Sequence, residues 1–142
     1  DDFALAADVR FQLGGLLLQS EVAYAERGHK SGRVRSNAFP EYVDADTRRG
    51  GGYLLTGYRT SLFGIMPYAQ VEFFETPGAG LLAALAGSYG DPLVFYAGLN
   101  ARPLPDVVLK LEYAHGTFLH AQPGSWGEHG LQALQAQVAW AF

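Results

Sequence analysis

The chain has no cysteine, which removes disulfide frameworks and thiolate metal sites. Charge is scarce: Asp, Glu, Lys and Arg make up 17% of the 142 residues, below the usual share of about a quarter. The net charge of −4 lacks the basic excess of a nucleic-acid-binding chain, so no nucleic-acid partner is expected. No apolar run approaches the roughly 18 residues of a membrane-spanning helix. No nucleophile elbow, phosphate loop or HExxH helix is present, so neither catalysis nor a cofactor is expected. Gly78-Ala79-Gly80 reads as a turn. His115, His120 and His129 sit at the ends and middle of one stretch, but their spacing matches no ligand pattern, and no metal is expected. The first residues, Asp1 and Asp2, are not those of a signal peptide. An exported protein would then be seen here as a mature form or a fragment.

What the chain does have is apolar and regular. Hydrophobic residues are 49% and aromatics 13%, with 18 glycines, a mixture that suits many strands joined by tight turns. The final stretch, Leu131 to Phe142, alternates strictly. Leu134, Ala136, Val138, Trp140 and Phe142 share one face, and Gln135, Gln137, Ala139 and Ala141 share the other. A soluble terminus usually frays in polar residues. A strand finishing on an aromatic face fits a bilayer instead, with Trp140 and Phe142 in an interfacial aromatic girdle.

The same alternation recurs upstream and predicts seven strands, near 3–13, 16–26, 52–62, 67–76, 92–102, 107–115 and 131–142. Each is about the 9–11 residues a tilted strand needs to cross a bilayer. Leu5, Ala7, Val9, Phe11 and Leu13 oppose Asp8, Arg10 and Gln12, before a Gly14-Gly15 hairpin signal. Leu16, Leu18, Val22 and Tyr24 oppose Gln19 and Glu21; Leu54, Thr56 and Tyr58 oppose Arg59; Ala69, Val71 and Phe73 oppose Gln70 and Glu72. Leu93, Phe95, Ala97 and Leu99 oppose Asn100 and Arg102, and Val107, Leu109, Leu111 and Tyr113 oppose Lys110 and Glu112.

Connection lengths alternate as well. Those at 14–15, 63–66 and 103–106 are short, and those at 27–51, 77–91 and 116–130 are long. Transmembrane barrels pair short periplasmic turns with long extracellular loops, whereas a soluble meander has no cause for such alternation. Leu81 to Tyr89 could instead form an eighth strand, but that would put the long 27–51 loop on the short-turn side, so 77–91 reads as a loop. With Phe142 periplasmic, residue 1 falls on the extracellular side. Bacterial barrels have an even strand number, so seven strands imply an incomplete barrel completed by upstream strands or another chain.

The polar positions form a candidate pore lining: Asp8, Arg10, Gln12, Gln19, Glu21, Arg59, Gln70, Glu72, Asn100, Arg102, Lys110, Glu112, Gln135 and Gln137. Such a set cannot pack as a dry core, because each unpaired charge there costs several kcal/mol. It suits a water-filled lumen, where pairs across neighbouring strands, such as Lys110 with a carboxylate, stiffen the wall. Alternation alone does not separate apolar-out from apolar-in; the terminal aromatic and the loop lengths decide it here. The 27–51 stretch holds six of the ten Lys and Arg, namely Arg27, Lys30, Arg33, Arg35, Arg48 and Arg49. It reads foremost as a solvated loop balanced by Glu41, Asp44 and Asp46, and secondly as an attractor of anionic solutes or lipopolysaccharide phosphates.

The segments FALAADVRFQLGGLLLQSEVAYAERG, GGYLLTGYRT, IMPYAQVEFFE and YAGLNARPLPDVVLKLEYAHG, with the closing QAQVAWAF, resemble the C-terminal part of Gram-negative porins of the phosphate-selective O/P type. The most specific piece runs from Gly98-Leu99-Asn100 through Val107 to Tyr113. The resemblance implies a diffusion channel of about sixteen strands, often a homotrimer, in the bacterial outer membrane. It implies contact with outer-membrane lipid and lipopolysaccharide, and a barrel-assembly signal, here Trp140 and Phe142, read by the barrel-assembly machinery. The family's folded-in loop and basic ladder belong to earlier strands, and the inward face here is not dominated by Lys and Arg.

The expected fold is therefore all-β: an antiparallel up-and-down transmembrane β-barrel, incomplete in this chain. The expected function is passive passage of small hydrophilic solutes or ions. Two other readings stand beside it: a structural barrel docking with other chains in an envelope complex, and a soluble β-barrel holding a small apolar ligand.

Overall fold

The computed structural model describes residues 2–27, 34–35, 43–44, 47–75, 91–119 and 129–140. Seven long strands form one open antiparallel sheet: β1 (Asp2–Leu13), β2 (Leu16–Arg27), β5 (Thr47–Tyr58), β6 (Met66–Phe74), β7 (Asp91–Leu104), β8 (Val107–Leu119) and β9 (Leu131–Trp140). They lie in sequence order, each paired with the next. Two short strands, β3 (Val34–Arg35) and β4 (Val43–Asp44), form a separate pair inside the first long connection. No described helix is long and apolar enough to cross a membrane.

All seven expected strands are present, with shifted ends. β5 begins at Thr47, inside a stretch whose glycines read as loop. Thr47 to Gly52 pair residue by residue with Arg27 to Val22, so the edge of β2 overrides the low strand preference of Gly50, Gly51 and Gly52. β5 also ends early, at Tyr58. The Thr60 amide donates to the Ile65 carbonyl (2.8 Å), closing a tight connection over 59–65 in place of the expected turn at 63–66. β8 runs on to Leu119, opposite Asp91. The expected loop at 77–91 and Phe142 lie almost wholly or wholly outside the described residues.

The connections alternate as their lengths in the chain suggested. Turns at 14–15, 59–65 and 105–106 close one end of the sheet, and three longer connections leave from the other. At the first turn Gly14 takes a φ of 56°, which residues with a side chain rarely adopt. A side chain at Gly15 would collide with the carbonyl of Arg59, whose own amide donates to the Gly15 carbonyl (2.7 Å). The tight hairpin thus also anchors the end of β5.

The sheet is open rather than closed on itself: β1 and β9 are edges, and every residue along both is exposed. The two faces are unequal. Of the exposed large hydrophobic residues, all but Leu62, Phe63, Phe74 and Leu131 belong to the apolar face. In the middle of β7, Phe95, Ala97 and Leu99 are exposed while Tyr96, Gly98 and Asn100 are half-buried. The only buried side chains among the described residues, Met66, Tyr68 and Glu112, sit on the polar face.

Candidate functional site

Register turns the polar positions into cross-strand rows. In one row Asp8 faces Glu21, Glu21 faces Tyr53, and Tyr53 faces Glu72. Arg10 faces Gln19, Gln70 faces Tyr96, and Gln12 faces Leu17. Asn100 faces Lys110, Lys110 faces Gln137, and Glu112 faces Gln135. Twelve of the fourteen expected pore-lining residues therefore share one face. The strand register does not assign Arg59 and Arg102 to a face. Arg59 lies one residue beyond β5, and Arg102 lies where the β7–β8 register slips between Ala101 and Leu104. Both are exposed at the short-turn end.

The face is held by hydrogen bonds between strands. Tyr68 on β6 reaches across β7 and donates its hydroxyl to the Glu112 carboxylate on β8. It can do so because the intervening position is Gly98: a Cβ there would lie 2.5 Å from the Tyr68 ring. Gly57 makes the same room on the other side, with its would-be Cβ at 3.2 Å from Tyr68 Cβ. Glycine in a strand interior is otherwise a weakness; here it is a berth for a ring. Lys110 Nζ completes the group, 2.9 Å from Glu112 Oε2 and 5.7 Å from the centre of the Tyr68 ring. Pairing of Lys110 with a carboxylate was expected across strands. It occurs along β8 instead, two residues apart on the same face, and the tyrosine supplies the cross-strand link.

A second group lies beside the first. Tyr96 donates to Glu72 Oε2 (3.2 Å), and Gln70 donates to the other carboxylate oxygen. Further along, Gln19 Nε2 donates to the Tyr53 hydroxyl (2.7 Å). Three tyrosines thus carry much of the network, and the sequence reading left them out of the site. Gly57 and Gly98, each inside a strand pattern, were the signal that a large side chain leans over them.

The remaining groups look to water. Asp8 and Glu21 face one another, and no ion pair to either is found among the described residues. Opposed carboxylates repel, and only solvent makes such a pair tolerable. Small residues on β1, β2 and β5, including Ala6, Ala23 and Gly51, leave a depression of about 680 Å³ on this face, edged by Tyr53 and Phe74. No cluster of three metal-ligating side chains occurs among the described residues, and His115 lies on the apolar face opposite Phe95 and Gln132.

Tyr68→Phe tests the network directly. Glu112 is 8% exposed. Without the hydroxyl, Lys110 is its one remaining partner among the described residues, so the sheet should lose about 1–3 kcal/mol. Urea unfolding of Tyr68→Phe, Glu112→Gln and the double variant should give a clear coupling energy. Additive losses would mean that the hydrogen bond contributes nothing.

The site thus contains a solvated, cross-braced polar wall. Compared with models of protein families, with curated proteins and with solved structures, the chain matches none of them.

Proposed function

We propose that this sheet is wall of an outer-membrane porin-like β-barrel, with its apolar face against lipid and its polar face lining a passage for small hydrophilic solutes or ions. One observation carries the reading: the exposed face is the greasy one, and the sheltered face is polar and hydrogen-bonded. In water, the band of Phe, Leu, Val and Trp across seven strands would far exceed the few hundred Å² that soluble monomers expose. In hydrocarbon it is the favoured arrangement.

Dimensions support the reading. On β1 the apolar positions run from Phe3 to Leu13, ten residue steps, or about 33 Å along the strand. A tilt of about 40° projects this onto about 25 Å, the height of a barrel's apolar band. Polar groups bound the band at the long-connection end, where Glu26 pairs with Arg48 (3.3 Å) and accepts from the Tyr24 hydroxyl (3.1 Å). Trp140 stands at the other end, opposite Val107. Its role as an assembly signal with Phe142, and an oligomeric or multi-chain barrel, belong to the same proposal.

The balance of charge on the polar face speaks for a weakly selective passage. Lys110 is matched by Glu112 and Arg27 by Asp2 (3.2 Å), leaving both signs interspersed. The test is electrical. Inserted into planar bilayers, the full-length product carrying this chain should give stepwise conductance. Detergent-dependent solubility without conductance would favour a structural envelope barrel, and a monodisperse chain in plain buffer would end the membrane reading altogether.

A further inference from the structure

We propose that the β5–β6 connection, residues 59–65, is a rigid anchor that seats Leu62 and Phe63 in the phospholipid interface at the short-turn end of the sheet. The inference rests on the membrane reading of the apolar face. It begins from a conformational oddity. Phe63 has a φ of 50°, and no other non-glycine residue among those described has a positive φ. Elsewhere such positions, at Gly14, Gly64 and Gly130, are taken by glycine. A bulky residue in the left-handed region is strained and persists only where its surroundings hold it there.

The surroundings do hold it. The Ile65 amide donates to the Leu62 carbonyl (3.0 Å), and Thr60 Oγ1 donates to the Ile65 carbonyl (3.0 Å). The Arg102 amide, from the slipped register of β7, donates to the Phe63 carbonyl (2.9 Å). All of this bonding is to the backbone. The side chains it presents are 62% exposed at Leu62 and 63% at Phe63. A glycine at 63 would close the same turn with less strain, so the ring is not there for the fold. Fixing two apolar side chains outward on a locked turn is what an interfacial anchor requires.

The chemistry around the turn selects lipid as the occupant. Tyr58, Leu104 and Trp140, all strongly exposed, continue the apolar surface at the same end of the sheet. Arg59, at the start of this turn, and Arg102, joined to it through its amide, are both exposed, with Asp106 on the neighbouring turn. Apolar rings beside guanidinium groups complement the acyl boundary and the anionic phosphates of a phospholipid headgroup layer.

The probe is tryptophan fluorescence in phosphatidylcholine vesicles brominated either near the headgroup or near the chain ends. In a Trp126→Phe, Trp140→Phe background, Phe63→Trp should be quenched at least about two-fold more by the shallow bromines than by the deep ones. Phe95→Trp, in the middle of the apolar face, should show the reverse. If Phe95→Trp is quenched while Phe63→Trp stays dark to both lipids, the turn faces water or a protein partner, and the anchor proposal falls while the membrane reading survives. If neither is quenched, the membrane reading falls and takes the anchor with it.

Discussion

Leu54→Arg should destabilise the lipid-inserted sheet by about 2–4 kcal/mol, the cost of an arginine near the midplane of a barrel's lipid face. Leu54 is the right position because it lies mid-band on the apolar face, between Ser20 and Val71, and is already exposed. No described side chain covers it, so the substitution creates no cavity in a protein core. In a sheet whose apolar face met water, the same change would cost almost nothing and would improve solubility. In a soluble barrel with that face inward, it would bury an uncompensated charge and abolish folding in plain buffer. Gln137→Arg is the control, because it places the same charge on the polar face opposite Lys110. Reversible unfolding in lipid vesicles, read as midpoint and slope, separates these outcomes. Equal costs for the two variants would show that the faces do not differ in environment.

Gly98→Val should cost about 3 kcal/mol and uncouple β6 from β8. The new side chain would begin where the Tyr68 ring already lies, 2.5 Å from the built Cβ. Overpacking alone costs about 1–3 kcal/mol, and displacing the ring also removes the hydrogen bond to Glu112. Combining Gly98→Val with Tyr68→Ala tests the cause: the double variant should recover part of the loss, since the valine then has room. A double variant as unstable as the sum of the two singles would place the strain elsewhere. Conductance offers a second readout, because a displaced tyrosine enters the space in front of the polar face and should lower the unit conductance.

These two predictions probe parts of the molecule that were unequally visible beforehand. The apolar set was readable from alternation. The strand period of two leaves no freedom once a strand is granted, and Leu54, Val71 and Phe95 fall in one cross-strand row as their spacing requires. The Tyr68–Glu112–Lys110 group was not readable. Tyr68 and Glu112 are 44 positions apart, and they meet because β7 intervenes with a glycine at the matching register. Nothing in a single strand announces which residue two strands away will reach over it. Arg59 and Arg102 show where parity stops being informative. Both continue the parity of a polar face, but one follows the last paired residue and the other sits at a register slip, where parity no longer maps onto a face.

Local pattern therefore determined the strands, which residues share each apolar face and the alternation of short and long connections. Each of these follows from two-residue periodicity and from turn chemistry at Gly14-Gly15 and Pro105-Asp106. Tertiary pairing decided where β5 begins, because a run of glycines becomes strand only when β2 offers an edge to bond. Pairing also decided which polar side chains are braced and which remain solvated, and it singled out Phe63. That residue's backbone is forced by amides and carbonyls contributed from Thr60, Ile65 and the slipped segment of β7. Long-range register is a collective property of the hydrogen-bonded sheet, and it fixes these contacts only after every strand has found its neighbour.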